Sequence, residues 1–140
     1  MSNEEVRNRS DVSAEQVFVT KTYVRTNGFI YKETTLNGSL HAGPLDEPSM
    51  ATFDPEGNPI RHMWHAFGEE HRSDGPSCVV FFSGSENRRI EEFKINGEPR
   101  PEADGPFRIR YSPDGEVMKN EYSEKSNDPF TPDIGLDLEQ

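Results

Sequence analysis

Apolar and polar residues alternate with a period of two along most of the chain between residues 17 and 122. This period is typical of β-strands, because successive side chains of a strand point to opposite faces of a sheet. The predicted strands span residues 17–24, 29–36, 50–53, 60–66, 77–82, 88–95, 107–111 and 116–122. No helical period separates them, so the simplest fold is an all-β antiparallel meander of about eight strands in four hairpins.

Glycine and proline mark the turns between these strands. Asn27-Gly28 is expected to form a type I′ turn, since both residues tolerate positive φ. Asp54-Pro55-Glu56-Gly57 and Ser112-Pro113-Asp114-Gly115 share another chemistry, in which proline presets φ and glycine closes the turn. The recurrence of one turn type indicates that the hairpins are related.

One pattern of turn residues recurs along the chain, and its copies start 29 to 30 residues apart. Each copy starts with a two-residue turn, at 37–38, 67–68 or 96–97, and reaches a proline-containing triplet, at 46–48, 74–76 or 104–106. A unit of this size is one hairpin, which cannot bury an apolar face alone and must stack on its neighbours. The chain is therefore expected to consist of tandem β-hairpin repeats of roughly 30 residues.

Several residues at fixed places in the repeat are interpreted as structural. Three residues after each turn glycine comes His41, His71 or Arg100. The two triplet glycines are both expected at positive φ, where a β-branched side chain would be strained. The structural repeat residues are Gly75, Pro76, Gly105, Pro106, His41 and His71.

The middle copy of the repeat also carries a family resemblance. Its segment Gly68-Glu69-Glu70-His71-Arg72-Ser73-Asp74-Gly75-Pro76-Ser77 resembles the HRxDGPA hairpin repeat of phage and bacterial proteins, which is similar to MORN-like repeats, including those of YwqK-like antitoxins. The resemblance covers about residues 37–122, although the third copy has Arg100-Pro101 where the family has His-Arg. It implies an interaction scaffold without defined catalytic residues.

Composition divides the chain into three parts. Leu, Ile, Val and Phe account for only 28 of 140 residues, and 22 of these lie between residues 17 and 122. We therefore expect a β-repeat domain at 17–125, a flexible polar arm at 1–16, and an acidic, proline-containing tail at 126–140.

The net charge of −11 excludes a conventional nucleic-acid binder, which would need a basic face. The single cysteine, Cys78, excludes an internal disulfide. The start of the chain has no signal-peptide pattern, and no apolar run reaches the length of a membrane span. These features predict a soluble protein of the cytoplasm.

No group of residues predicts a catalytic, metal or cofactor site. His62 and His65 are close in sequence, but their odd separation on a strand directs them to opposite faces, which disfavours zinc. Cys78 lies in an apolar strand without a nearby base, so it is interpreted as a small buried residue. The chain is therefore not expected to be an enzyme or to need a cofactor.

The two faces of the predicted sheet differ in a way that suggests binding. Ala51, Phe53, Val79, Phe81, Phe107, Ile109 and Tyr111 form one apolar face, on which Trp64 is expected to be buried. The opposite face is apolar in the middle units, where water would favour polar residues. The predicted partner-binding residues on it are Met50, Met63, Phe67, Cys78, Val80 and Phe82. Their cover is either the acidic tail, a second copy of the chain, or a foreign protein.

These features together favour a non-enzymatic protein-binding module. Acidic proteins of this size can occupy the nucleic-acid groove of a basic protein, because carboxylates replace phosphates. One hypothesis is thus an inhibitor from a phage or mobile element that blocks a basic nucleic-acid-binding or defence protein. The alternatives are an antitoxin or immunity partner of one toxin, suggested by the family resemblance, and a structural assembly protein that forms homo-oligomers through its edge strands.

Overall fold

The computed structural model describes residues 16–123 and contains strands and no α-helix in that range. The longer strands are β1 (Phe18–Val24), β2 (Ile30–Leu36), β4 (Met50–Phe53), β5 (Pro59–Met63), β8 (Cys78–Phe81), β9 (Arg88–Glu92), β12 (Arg108–Tyr111) and β13 (Val117–Glu121). The two-residue strands are β3 (Ser39–Leu40), β6 (His65–Ala66), β7 (Glu69–Glu70), β10 (Lys94–Ile95) and β11 (Glu98–Pro99), and one 3-10 turn spans Glu102–Asp104. The tail predicted at 126–140 and the arm as far as residue 15 lie outside these residues.

The eight longer strands form one antiparallel sheet in the order β1-β2-β4-β5-β8-β9-β12-β13, which confirms the predicted meander. Strand β3 pairs only with β2. The remaining short strands form two small hairpins, β6-β7 and β10-β11, apart from the main sheet. Within residues 16–123 all eight longer strands thus belong to one sheet, and no second sheet of comparable size is present in that range.

The hairpin turns predicted at 67–68 and 96–97 are confirmed, but the alternation predicted continuous strands at 60–66 and 88–95 where the structure has separate short hairpins. Both strands break, at Trp64 and at Phe93, and the chain then turns back through residues in the left-handed region. Phe67 has φ 51° and Gly68 φ 92°, as a type I′ turn requires. The amide of Gly68 donates to the carbonyl of Leu40 at 2.8 Å. The amide of Gly97 donates to the carbonyl of Glu70, also at 2.8 Å, so consecutive repeats stack through these turns.

The first hairpin turn differs from expectation. Only Gly28 has positive φ there, and the Gly28 amide donates to the carbonyl of Arg25 at 2.9 Å. The turn therefore spans residues 25–29, closed by an Arg25–Phe29 backbone bond, and is not type I′. The type I′ geometry occurs at Asn37-Gly38, with φ 51° and 93°.

The strand register defines two faces. One row of neighbouring side chains is Thr22, Lys32, Ala51, His62, Val79, Glu91, Ile109 and Asn120. Phe53, Phe81 and Tyr111 each follow a member of this row by two residues on the same strand, so their side chains point to the same side. We name this side the aromatic face. The row on the opposite side is Lys21, Glu33, Met50, Met63, Cys78, Glu92, Arg108 and Glu121, and we name that side the methionine face.

The buried core lies in the central strands. Val79 is 1% exposed, and Ala51, Cys78 and Trp64 are each 6% exposed. Ser49 and Ser77, which precede β4 and β8, are completely buried. The core is thus concentrated where the sheet meets the short hairpins, because a single sheet covers side chains only through their neighbours and the loops beside them.

Candidate functional site

The three repeat positions identified after the turn glycines have equivalent backbone environments. The amides of His41, His71 and Arg100 donate to the carbonyls of Thr34, Trp64 and Phe93, each seven residues earlier, at 3.2, 3.0 and 3.1 Å. These bonds close the short hairpins onto the sheet. The side chains at the three positions nevertheless have different roles.

An arginine stacked on an aromatic ring holds each of the two Asp-Gly-Pro loops. The guanidinium of Arg72 lies 3.8 Å from the Trp64 ring centre, and its Nη1 donates to the Pro76 carbonyl at 3.1 Å. Arg100 lies 3.8 Å from the Phe93 ring centre, and its Nε donates to the Pro106 carbonyl at 2.7 Å. We call these the arginine clamps. Arg100 aligns with His71 in backbone position, but its side chain makes the same kinds of contact as that of Arg72.

The clamps explain why the triplets contain glycine. A Cβ at the second triplet position would lie 3.2 Å from Arg72 Nη1 in one repeat and 2.7 Å from Arg100 Nη2 in the next. Gly105 has φ 118°, as expected, but the expectation for Gly75 is wrong, since it is not among the residues with positive φ. Gly75 therefore serves close packing against a guanidinium, whereas Gly105 serves both packing and backbone conformation.

The histidines of the loops make structural contacts. His65 is 7% exposed, and its Nδ1 lies 2.7 Å from the hydroxyl oxygen of the buried Ser49. Burial lowers the pKa of His65, and the nearby Glu70 partly opposes this. The Nδ1 of His71 accepts a hydrogen bond from the Asn96 amide at 2.9 Å, which joins two repeats. His41 packs edge-on against Phe67, with ring centres 4.7 Å apart.

His62 lies on the aromatic face with an unsatisfied nitrogen. Its ring packs edge-on against Phe53, Trp64 and Phe81, with centres 5.7, 6.1 and 5.1 Å away. Its Nε2 is the one buried side-chain nitrogen or oxygen within residues 16–123 that lacks a hydrogen-bond partner. Burial lowers the pKa of His62, and the charge of Arg88 lowers it further. Among the described residues no carboxylate hydrogen-bonds to the Nε2 of His62, so this nitrogen forms no acid–base pair there.

The short hairpins and triplet loops lie together at one end of the strands, because the meander brings the chain back there after every second strand. Seven charged side chains of these loops are exposed, and all seven are acidic. We name this region the acidic end, defined by Asp46, Glu47, Glu69, Asp74, Glu98, Glu102 and Asp104. By contrast, the turns at the other end of the strands expose acids and also Arg25, Arg88 and Arg89.

The basic side chains of these loops are turned inward. Arg72 and Arg100 are half-buried in their clamps, and Arg72 also pairs with Asp46 at 3.0 Å. Lys94 is half-buried, with its Nζ 3.5 Å from Glu70. The fold therefore uses the bases of the loops internally and leaves most of the acids at the surface.

Three large apolar side chains project from the same end. Leu45 is 83% exposed, Phe67 is 74% exposed and Ile95 is 37% exposed. Each comes from a different repeat loop, so an apolar side chain stands beside the acids in each unit. A cavity of about 380 Å³ opens between the first two loops, and its walls include Asp46, Asp74 and His71. The combination of carboxylates, apolar groups and a recess is suited to protein binding.

The predicted partner-binding residues are only partly brought together. Met50, Met63 and Cys78 are register neighbours on the methionine face, with Val80 in the next row and Phe82 directly after β8. Cys78 is buried and the others are half-buried. The expected position of Phe67 on this face is wrong, because strand β5 ends at Met63 and Phe67 lies in the turn of the short hairpin.

Cys78 faces two carboxylates. One ligand atom from each of Glu70, Cys78 and Glu92 lies within 4.8 Å of the other two. Burial raises the pKa of Cys78 to about 12, and the charges of Glu92 and Glu70 contribute to the increase. A thiol with this pKa is not a nucleophile at neutral pH.

Comparison with protein-family models, with curated proteins and with solved structures finds no significant match. The resemblance to HRxDGPA and MORN-like repeats therefore stays a prediction from the sequence. None of the described residues forms a helix long and apolar enough to cross a membrane.

Proposed function

We propose that this protein is a non-enzymatic binding module that presents its acidic end to a basic protein partner. The observation that carries the proposal is the sorting of charge in the repeat loops. Every exposed charged side chain there is an acid, whereas the bases are held in clamps or ion pairs beneath them.

The repeat spacing supports a cooperative electrostatic surface. Equivalent loops are two strands apart, or about 10 Å, since strands lie about 4.8 Å from one another. This distance is close to the Debye length of about 8 Å at physiological salt, so the fields of neighbouring loops overlap. Such a surface attracts a Lys- and Arg-rich groove and accelerates its association.

The projecting apolar side chains provide binding energy that charge alone does not. Interface energy is concentrated in a few apolar or aromatic anchors surrounded by polar groups. Phe67, which is 74% exposed in the turn of the middle repeat, has the exposure of such an anchor. The inhibitor and antitoxin hypotheses are both forms of this function and differ only in the partner.

The proposal is tested with two matched triple variants that remove the same charge. One is Glu47→Gln/Glu69→Gln/Asp74→Asn at the acidic end, and the other is Glu56→Gln/Glu86→Gln/Asp114→Asn at the opposite end, where these acids are also exposed. Binding is measured to immobilised basic nucleic-acid-binding proteins over a salt series. We expect the first variant to bind about tenfold more weakly and the second to change by less than about twofold, because only local charges act across a Debye length.

Equal weakening in both triple variants would mean that net charge, and not the acidic end, governs binding. The proposal is refuted if the wild-type chain binds none of the basic proteins at low salt. A steep loss of affinity with added salt is expected, since the attraction is electrostatic.

Exposed apolar residues on the edge strands favour a second candidate, self-assembly as a structural protein. Tyr23 and Val24 on β1 are 46% and 70% exposed, and Val117 and Met118 on β13 are 56% and 67% exposed. Both strands lack a neighbour on one side within residues 16–123. An edge of this kind can pair with another copy. Sedimentation velocity of the wild type and of Val24→Lys and Met118→Lys tests this: assembly requires oligomers that both variants weaken.

A further inference from the structure

One cluster of side chains lies between the acidic end and the main sheet, and none of its members is among the exposed acids proposed to meet a partner. It brings together Glu70 of the short hairpin β6-β7, Cys78 of β8 and Glu92 of β9. Within residues 16–123 this is the one group of three metal-ligating side chains with ligand atoms this close together. The three residues come from three different elements, so the fold itself assembles the cluster.

The thiol at the centre of the cluster has no partner of its own. Cys78 is 6% exposed, and its thiol forms no disulfide and no hydrogen bond with the side chains of residues 16–123. It nevertheless points toward two carboxylates, within 4.8 Å of an oxygen of each. Because a thiol is only a weak hydrogen-bonding group, its sulfur stays available as a metal ligand.

Both carboxylates are held in place by other contacts. The Ser77 hydroxyl donates to Oε2 of Glu70 at 2.9 Å, and Lys94 lies 3.5 Å from Oε1. The Nε of Arg108 donates to Oε2 of Glu92 at 2.8 Å, while its Nη1 donates to Oε1 of Glu121 at 3.0 Å. These contacts hold the carboxylates in place, and because each oxygen has two lone pairs, each carboxylate keeps acceptor capacity.

We propose that Glu70, Cys78 and Glu92 form a binding site for a borderline or soft divalent cation, with Zn²⁺ as the physiological case. A thiolate and two carboxylates are ligands that Zn²⁺ takes at about 2.3 Å and 2.0–2.2 Å, respectively. On binding, the Cys78 sulfur forms a bond to the metal and releases its proton to solvent. A water molecule would complete the four-coordinate shell.

The site would connect the acidic end to the main sheet. Glu70 lies in the short hairpin, whose turn stacks on that of the next repeat through the Gly97–Glu70 backbone bond. Cys78 and Glu92 are register neighbours in the central strands. A cation bound by all three would fix the hairpin against two strands of the core, and would stabilise the native state only, because the unfolded chain does not preform the site.

The experiment uses Cd²⁺ as a spectroscopic probe in the full chain. Thiolate bound to Cd²⁺ gives an ultraviolet charge-transfer band, and Cys78 is the only cysteine among the 140 residues, so the band reports this residue. We expect a band that saturates at one Cd²⁺ per chain and disappears on competition with Zn²⁺. Glu70→Gln and Glu92→Gln should each weaken Cd²⁺ binding about tenfold or more, as loss of a charged ligand implies. The matched control Glu86→Gln, at an exposed position at the opposite end of the strands, should leave the affinity for Cd²⁺ unchanged.

Stability provides an independent readout. Zn²⁺ should raise the melting temperature of the wild type by about 5 °C or more, and should not raise that of Glu70→Gln or Cys78→Ser. The absence of a charge-transfer band with Cd²⁺ would overturn the proposal. A band that both glutamate variants retain at full affinity, or that requires two chains per metal, would also overturn it. None of these results bears on the salt-dependent binding of basic proteins, so the two proposals fail separately.

Discussion

Replacing Gly105 with alanine is expected to destabilise the fold far more than the same change at Gly75, although both occupy the middle of an Asp-Gly-Pro triplet. Gly105 has φ 118° and ψ −176°, a region that glycine alone occupies readily. Gly75 does not have positive φ. The two sites therefore differ in the backbone strain that any Cβ would cause.

The space beside each glycine differs in the same direction. A new Cβ would lie 2.7 Å from Nη2 of Arg100 at the first site, but 3.2 Å from Nη1 of Arg72 at the second. At Gly105, strain of about 1–3 kcal/mol adds to the loss of part of a charged hydrogen bond worth about 1.5–3 kcal/mol. We expect Gly105→Ala to lower the free energy of unfolding by about 2–5 kcal/mol, and Gly75→Ala by less than about 1 kcal/mol.

Urea denaturation followed by circular dichroism measures both losses, provided that unfolding is two-state. A double-mutant cycle separates the contributions at Gly105. In an Arg100→Ala background the steric part should vanish, so the cost of Gly105→Ala should fall to the backbone strain alone. Equal losses at the two glycines, or a cost at Gly105 below about 1 kcal/mol, would contradict the assigned backbone conformation.

Three further outcomes are expected. Trp64→Ala should cost about 3–5 kcal/mol of stability in urea denaturation, since Trp64 is 6% exposed, whereas Phe67→Ala, at a 74% exposed position, should cost little; similar losses would contradict these positions. Burial holds the pKa of His62 below its unfolded value, so protonation favours the unfolded chain and stability falls as pH decreases below about 6.5. His62→Phe should reduce this loss of stability. A urea midpoint that does not change between pH 7.5 and 5.5, about one unit on either side of pH 6.5, would refute the prediction. Val80→Glu should leave circular dichroism unchanged, because its register neighbour Arg61 can pair with the new carboxylate. The same variant should abolish association if the methionine face binds a partner. If a chain ending at Ser126 binds a hydrophobic dye instead, the segment after Ser126 covers the methionine face.

The elements of the sheet followed from the sequence because their signals are local. Period-two alternation depends only on neighbouring residues, so it placed all eight longer strands of the meander. The φ preferences of proline and glycine act within one turn, which is why the turns at 54–57 and 112–115 lie where they were expected. The spacing of His41, His71 and Arg100 likewise revealed equivalent backbone positions, since each short hairpin has the same number of residues.

The candidate site could not be derived in this way, because it depends on which side chains meet. Alternation continues through Trp64, so it could not show that the chain leaves the main sheet there, or that Phe67 turns outward. Arg72 and Arg100 occupy different repeat positions, and only packing on Trp64 and Phe93 makes them equivalent. Composition established an excess of acid, but the acidic end arises because the folded loops bury their bases. Cys78, Glu70 and Glu92 are separated in sequence and meet only through register and hairpin stacking. Local order was thus determined by the sequence itself, whereas exposure and proximity were decided by the tertiary structure, since both depend on residues far apart in the chain.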